Sequence, residues 1–466
     1  MVSFSKMMTS AETQRIDPEY FQKQYLADAA LIEAKPANFQ TFAEMGLRVD
    51  GSAFYPAIEQ YYGTGDLPFL RVADVDTVID FEACTRIPSE LCDRFPTLAR
   101  VHTGDIVLTK GGSVARIGLL TEEAAASRDL IFLDSSKLLE RDRIFLYIYA
   151  QTEFFNRMLL RSSSQTAQPH LTITLVRNLP TLRASAALKQ ECLKTIQQAY
   201  AARTESIERT HNAEATLAVA LGLGNWQPPE PLTYTRRASE AFAVNRLDAE
   251  YFQPKYKALL EIVQKNAPRC RRVEEFATHC DRGEQPDYVE DGTLAVINSR
   301  HILENGLDYD KFERTDAQSW NEPNFKNAHV FKDDILTYTT GAKVGRTATY
   351  MSDERALASN HVNLLRVKEE NPVYVATVMN SMIGRWQTRM LVTGSAQVEL
   401  YSGDIRRFLI PFVDAKTEAA IVAAVHSAHT TRHRAHALLD AAKRAVEIAI
   451  EDSEAAALAY LKTKGA

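Results

Sequence analysis

The sequence predicts an α+β fold in which two repeated, mixed α/β units are each followed by a long helix, and the two helices pair as an antiparallel coiled coil. Three observations lead there: an internal repeat at half the chain length, short apolar runs bounded by turn residues, and two long stretches free of breakers. The repeat is the strongest. Arg15-Ile16-Asp17-Pro18-Glu19-Tyr20-Phe21-Gln22 returns as Arg246-Leu247-Asp248-Ala249-Glu250-Tyr251-Phe252-Gln253, an offset of 231 residues. Gly104-Asp105-Ile106-Val107 returns as Asp333-Asp334-Ile335-Leu336 at 229, Ala167-Gln168 as Ala396-Gln397 at 229, and Leu179-Pro180 as Ile410-Pro411 at 231. Four blocks at nearly one offset imply duplication of a unit of about half the chain. Two similar but divergent units suit a protein that holds two related targets at a fixed separation.

Taken in order, residues 15–34 and 246–266 read as helices, with Asp17 and Asp248 as N-caps and Pro18 at the first helical position. Leu67–Val72, Asp105–Leu108, Ala295–Ile297 and Asp334–Leu336 read as strands. From 184 to 221 the apolar residues Leu193, Ile196, Tyr200, Ile207, Leu217 and Leu221 fall at threes and fours or their multiples, with no Gly or Pro before Gly222. This is one helix of roughly 55 Å at 1.5 Å per residue. Its counterpart, 415–462, carries Ile421, Val425, Ala428, Ala435, Leu439, Ala442, Val446 and Ala449. Both seams are narrow and interrupted, by Arg203 and Glu214 in one and Arg432 in the other, so mutual packing is the natural way to bury them. The competing arrangement is a helical bundle within each half. Gly222 to Pro231 is rich in turn formers and separates the repeats. The expected division is therefore a first unit over 1–183, a helix over 184–222, a linker over 223–245, a second unit over 246–413 and a helix over 414–466.

Composition narrows the classes. A net charge of −6 and a pI near 6.1 exclude a broad basic surface, so the chain alone should bind phosphate poorly. Cys84, Cys92, Cys192, Cys270 and Cys280 form no Cys-x-x-Cys pair and are odd in number, which argues against a disulfide framework or a zinc ribbon and for a reducing compartment. Residues 1–13 lack a signal-peptide core and no apolar run approaches membrane-spanning length, so a cytoplasmic location is expected.

Two loop pairs could carry function. The first is a strand running into a glycine turn, Asp105 to Arg116 through Lys110-Gly111-Gly112-Ser113, and Asp334 to Arg346 through Thr340-Gly341-Ala342-Lys343-Val344-Gly345. Glycines allow a sharp bend and close approach of another backbone, and the flanking Lys and Arg project from it. It is no P-loop, since only three residues separate Gly341 from Gly345. A plain hairpin turn with solvated bases is the bland alternative; recurrence in both repeats favours a ligand-facing loop. The second pair, Ser163 to Gln168 and Thr393 to Gln397, offers amides and hydroxyls suited to base edges, or equally a polar surface loop. His426, His429, His433 and His436 share a helix face, but no carboxylates stand at matching spacing and a packed or solvated flank is expected rather than a metal site. No methyltransferase, adenosylmethionine, P-loop, zincin or Gly-x-Ser-x-Gly motif occurs, so a non-catalytic chain is expected.

Arg-Ile/Leu-Asp-x-Glu-Tyr-Phe opening each unit, Gly104-Asp105-Ile106 with its glycine turn, Thr340 to Gly345, Gly394-Ser395-Ala396-Gln397, and Leu179-Pro180 or Ile410-Pro411 before each helix occur in the same order twice. From Arg15 to Leu461 this arrangement resembles the specificity subunits of type I restriction–modification systems. The resemblance implies two target-recognition domains, each reading one half of a split asymmetric double-stranded DNA site. It implies helices that act as spacer and as dock for methyltransferase subunits, two in number, with restriction or translocase subunits as further possible partners. S-adenosylmethionine would reside on the methyltransferase, and this chain would hold no cofactor and no metal. The first unit departs from the family's Thr-Gly-Ala in having Lys110-Gly111-Gly112-Ser113. By loop position the candidate DNA contacts are Lys110, Ser113, Arg116, Gln165 and Gln168 in the first unit and Lys343, Arg346, Ser395 and Gln397 in the second. Arg71, Asn298 and Arg300, which follow or end strands, are added to them. A coiled-coil adaptor of another anti-phage complex is the alternative.

Overall fold

A computed structural model describes residues 18–53, 55–111, 115–163, 170–304, 306–394 and 398–464. The chain divides into two compact units, one of residues up to 201 together with 434 onwards, the other of residues 202–433.

The first unit opens with a 3-10 turn over Pro18–Phe21 and helix α1 (Lys23–Ala34). There follow β1 (Phe39–Thr41), β2 (Val49–Gly51), β3 (Leu67–Leu70), β4 (Arg86–Ile87), α2 (Glu90–Arg94), β5 (Arg100–Val101), β6 (Ile106–Thr109), β7 (Ile117–Leu119), β8 (Ala124–Ala126) and β9 (Leu130–Leu133). The strands form two four-stranded sheets, ordered β2-β9-β6-β7 and β4-β3-β8-β5, in which only β3 and β8 run parallel. β3, β6, β8 and β9 are buried along their whole length, which explains their unbroken apolar character. A helical hairpin, α3 (Glu140–Ala150) and α4 (Glu153–Ser162), covers the first sheet, and α5 (Ile173–Arg177) leads to β10 (Pro180–Leu182), which pairs with β1. Buried Tyr149 donates its hydroxyl proton to the Pro180 carbonyl at 2.6 Å, fixing the chain just before the long helix α6 (Ala186–Ala220).

The second unit repeats this plan. After α7 (Ala238–Val244) and α8 (Pro254–Asn266) come β11 (Arg269–Arg272), β12 (Ala277–Arg282), β13 (Leu294–Ile297), a small hairpin of β14 (Ile302–Leu303) and β15 (Gly306–Leu307), β16 (Glu313–Thr315), β17 (His329–Val330), β18 (Ile335–Tyr338), β19 (Thr347–Thr349), β20 (Ala356–Ala358) and β21 (Val362–Val367). Its sheets are ordered β12-β21-β18-β19 and β16-β13-β20-β17, again with one parallel pair, β13 and β20. The hairpin α9 (Pro372–Asn380) and α10 (Met382–Leu391), then α11 (Ser402–Arg406) and β22 (Leu409–Phe412), complete it, with β22 on β11. Here Tyr374 donates to the Pro411 carbonyl at 2.9 Å. The chain ends in α12 (Ala415–Glu451) and α13 (Glu454–Lys464).

Each unit takes opposite halves of the two long helices. In the first, Leu188, Cys192, Leu193 and Ile196 share a core with Ala442, Val446, Ala449 and Ile450. In the second, Ala213, Leu217 and Leu221 share one with Ile421, and Ser206 donates to the Ala428 carbonyl at 2.7 Å. Pairing of opposite ends is what antiparallel helices give, so the bundle-within-each-half alternative is not the one observed.

Several elements differ from the sequence expectation. The helix expected over 246–266 begins only at Pro254, because Asp248 is engaged in a turn: it accepts from Tyr251 N at 3.0 Å and pairs with Arg246 at 2.7 Å. Proline at the first helical position then starts α8. Within the expected linker over 223–245, beyond the turn formers of 222–231, lies a short helix, α7. The last helix breaks after Glu451, where the Asp452 carbonyl accepts from Lys35 at 2.9 Å and Ser453 receives the Ala456 N–H at 3.3 Å. Among the described residues no helix is long and apolar enough to cross a membrane.

Candidate nucleic-acid interface

In each unit three loops meet at one edge, tied by equivalent backbone bonds. The glycine turn is the hairpin between β6 and β7, or β18 and β19. Beside it runs the loop after β8 or β20, for Lys110 N donates to the Asp129 carbonyl at 2.8 Å and Thr339 N to the His361 carbonyl at 3.1 Å. On the other side lies the segment that follows the Ser/Gln stretch, since Leu171 N donates to the Lys110 carbonyl at 3.0 Å and Leu400 N to the Thr339 carbonyl at 2.9 Å. Bridges Gly111 to His170 and Thr340 to Glu399 extend that join. The described residues that border the two loop pairs are thus neighbours in space. Gly341 and Gly345 have φ of +103° and +88°, and a Cβ on Gly345 would lie 2.7 Å from Thr388 on α10, so this turn needs glycine both for conformation and for space.

The side chains sort into free and engaged groups. Arg116 and Lys343 are exposed and Lys110 and Arg346 half-buried, and among the described residues their side chains form no ion pair or hydrogen bond. Ser113, Gln165, Gln168, Ser395 and Gln397 lie outside the described residues. Arg71, Asn298 and Arg300 are engaged. Arg71 holds Asp74 at 3.1 Å, Asn298 accepts from Arg300 N at 3.1 Å and donates to the Tyr288 hydroxyl at 3.3 Å, and Arg300 pairs with Glu313. They stay next to the three-loop edge, because Ser127 N donates to the Leu70 carbonyl and Ser359 N to the Ile297 carbonyl, both at 2.9 Å.

The second unit adds a side-chain clamp. Glu399 accepts from Arg282 at 2.6 Å and from the Tyr401 hydroxyl at 2.7 Å, and Arg282 also donates to the Leu400 carbonyl at 3.1 Å. The bonds from Tyr401 and then Arg282 hold the Glu399 carboxyl below the usual carboxylate range. His361 Nδ1 lies 3.2 Å from Thr340 Oγ1, fastening the glycine turn to the loop after β20. The first unit has His170 where Glu399 stands, with Nδ1 3.3 Å from the Lys110 carbonyl oxygen. Sequence reasoning passed over Arg282, His361, Glu399 and Tyr401, and also the loops at Ser127 and Ser359. The signal for the last pair was present: Ala124-Ala125-Ala126-Ser127 returns as Ala356-Leu357-Ala358-Ser359, an offset of 232.

Of the histidine stripe, His426, His429 and His433 lie in the second unit, away from this edge, and His436 in the first. His429 and His433 bring their Nε2 atoms to 3.1 Å, and Tyr309 packs on both rings. Burial pushes His429 down to about 4. Among the described residues no group of three or more His, Cys, Asp or Glu could hold a metal ion.

Neither a family model nor a curated protein matches the chain. Solved structures do. The chain is similar to type I restriction–modification S subunits. The S subunit from M. genitalium matches at 12% identity and a TM-score of 0.35, over 91% of this chain and 95% of that one. The HsdS subunit from Thermoanaerobacter tengcongensis matches at 13% identity and 0.27, over 90% and 96%. A chain from a structure of type I R-M complex assembly and conformational transition matches at 14% and 0.26, over 90% and 97%. The functional reading is carried by the chain's own geometry.

Proposed function

We propose that this chain is the non-catalytic DNA-specificity subunit of a type I restriction–modification complex. The observation that carries the reading is the three-loop edge. It occurs once per unit, is tied by the same backbone bonds, and is dressed with different side chains. A scaffold built twice with divergent loops suits two unequal half-sites of one asymmetric target. In this reading 1–183 and 246–413 are the recognition domains, the long helices separate them and dock two methyltransferase subunits, and S-adenosylmethionine is bound by those partners. Lys110, Arg116, Lys343 and Arg346, whose cationic groups are unpaired among the described residues, meet phosphates or guanine edges. Ser113, Gln165, Gln168, Ser395 and Gln397 supply the smaller polar contacts, and Arg71, Asn298 and Arg300 frame the edge. With a net charge of −6, much of the phosphate neutralisation falls to the partners.

The test is to copurify the chain with its methyltransferase and sequence the duplexes that the complex selects from a randomised pool. Two defined halves around an unspecified gap support the reading; unselected DNA from a stable complex overturns it. A second reading, an adaptor that binds protein alone, draws on the exposed apolar side chains Leu232, Phe242 and Leu247. Partner binding without any DNA preference would favour it.

A further inference from the structure

The loop after the parallel strand pair carries one residue that the frame leaves free, and that residue differs between the units. The frame itself recurs. Ser127 and Ser359 receive equivalent bonds at both ends: their N–H groups meet Leu70 and Ile297, and their carbonyls accept from Leu130 N at 3.1 Å and Val362 N at 3.0 Å. Both serine hydroxyls are buried, and among the described residues neither has a hydrogen-bond partner. Buried polar groups are nearly always bonded, so an unbonded hydroxyl at the same place in both units is a further feature that the two frames share. A tyrosine hydroxyl also reaches each frame, Tyr55 accepting from Arg128 N at 3.4 Å and Tyr288 from Asn298 Nδ2 at 3.3 Å.

On this frame stand Arg128 in the first unit and Asn360 in the second, both exposed. Arg128 has Asp129 at 4.0 Å, with both side chains about half exposed or more, a pair too solvated to hold the guanidinium. Asn360 has no hydrogen-bond partner among the described residues. Their frame neighbours Arg71 and Asn298 are already occupied, as described above, which leaves these two as the groups able to turn outward. Lys110 bonds through its backbone to Asp129 and Thr339 to His361, so each stands one residue from the glycine turn's anchor. A guanidinium presents two parallel donors, the complement of guanine O6 and N7; a carboxamide presents a donor and an acceptor, the complement of adenine N6 and N7.

We infer that Arg128 reads a guanine in the half-site of the first unit and that Asn360 reads an adenine in the half-site of the second. This rests on the DNA-specificity reading and deepens it. The experiment uses the full chain in complex with its methyltransferase subunits and compares the motifs selected by the wild type, Arg128→Ala, Arg128→Asn and Asn360→Ala. Arg128→Ala should lose preference for guanine at one position of one half-site, by roughly tenfold or more. Arg128→Asn should move that position towards adenine, and Asn360→Ala should lose an adenine in the other half-site. The untouched half-site in each case shows that the variant is folded. Wild-type motifs at every position in all three variants would overturn the inference while leaving the DNA reading standing. A uniform fall in affinity without change of motif would also overturn it, since that is the mark of a phosphate contact. Absence of any motif from the wild type would overturn both.

Discussion

Replacing Arg366 with methionine should destabilise the second unit strongly, and the structure sets the size of the effect. Asp334, at the entry to β18, is 1% exposed, and its carboxylate accepts from Arg366 Nε and Nη2 on β21 at 2.7 Å each and from Phe331 N at 2.8 Å. Without the arginine, one backbone N–H remains for a buried charge. Breaking such a pair from one side costs about 3–5 kcal/mol, and because the Arg366 side chain is 37% exposed the lower end, about 3 kcal/mol, applies. For a unit of this size roughly 2–4 °C of Tm accompanies each kcal/mol, so a fall of about 6–12 °C follows. Trp226, Trp320 and Trp386 all lie in the second unit and are the chain's three tryptophans, so their fluorescence follows its unfolding specifically. Arg366→Met combined with Asp334→Asn leaves no bare charge and should recover most of the loss. A shift under about 2 °C for the single variant, or a double variant no more stable than the single, would refute the argument.

Three further outcomes follow from the same geometry. In the first unit the register places Asp134 where the second has Arg366, and Asp105 is buried with Oδ1 unbonded among the described residues; burial pushes its carboxyl above the usual range. A raised folded-state value gives stability that is present below the unfolded value and lost as pH rises through the folded one, so Asp105→Asn, which keeps an acceptor for His102 N, should stabilise the chain by about 1 kcal/mol at pH 7 and by nothing near pH 4, read as Tm against pH. Arg346→Ala should relax preference in one half-site only, seen in selected duplexes; equal loss in both halves would assign it to folding or to phosphate. Gly345→Ala, with its φ of +88° and Thr388 in the way, should cost about 1–3 kcal/mol in unfolding and weaken only the second half-site.

What was legible in the sequence was whatever repeats or has a period. The long helices show themselves through the spacing of Leu193, Ile196, Leu217 and Leu221 and the absence of breakers, because a helix seam must recur at threes and fours. The glycine turns show through Gly341 and Gly345, which the backbone there requires. In the helical hairpins, α3 beyond its first turn and α9 escaped notice because they are buried all round, whereas α4 and α10 carry one buried and one polar face and were readable. Ile144 to Ala150 and Val373 to Asn380 are continuous buried runs, and a run with no polar face has no helical signature to distinguish it from a strand. The clamp of Arg282, Glu399 and Tyr401 escaped for another reason: its members are far apart in the chain, and only the pairing of β12 with β21 and the loop bridges bring them together.

The bonds shared by the two units separate what the fold needs from what differs between the copies. Bonds found in both, such as Ser127 N to Leu70 and Ser359 N to Ile297, or Tyr149 to Pro180 and Tyr374 to Pro411, join backbone to backbone or a buried tyrosine to backbone, and hold whatever side chains stand on the loops. At the three-loop edge, by contrast, bonds between side chains occur among the described residues of the second unit that the first does not share: Arg282 with Glu399, His361 with Thr340. Because the edge is tied through the backbone, Lys110 can be exchanged for Thr339, His170 for Glu399, or Arg128 for Asn360 without disturbing the sheets behind them. On the proposed reading, a scaffold with that property can change its target one loop at a time.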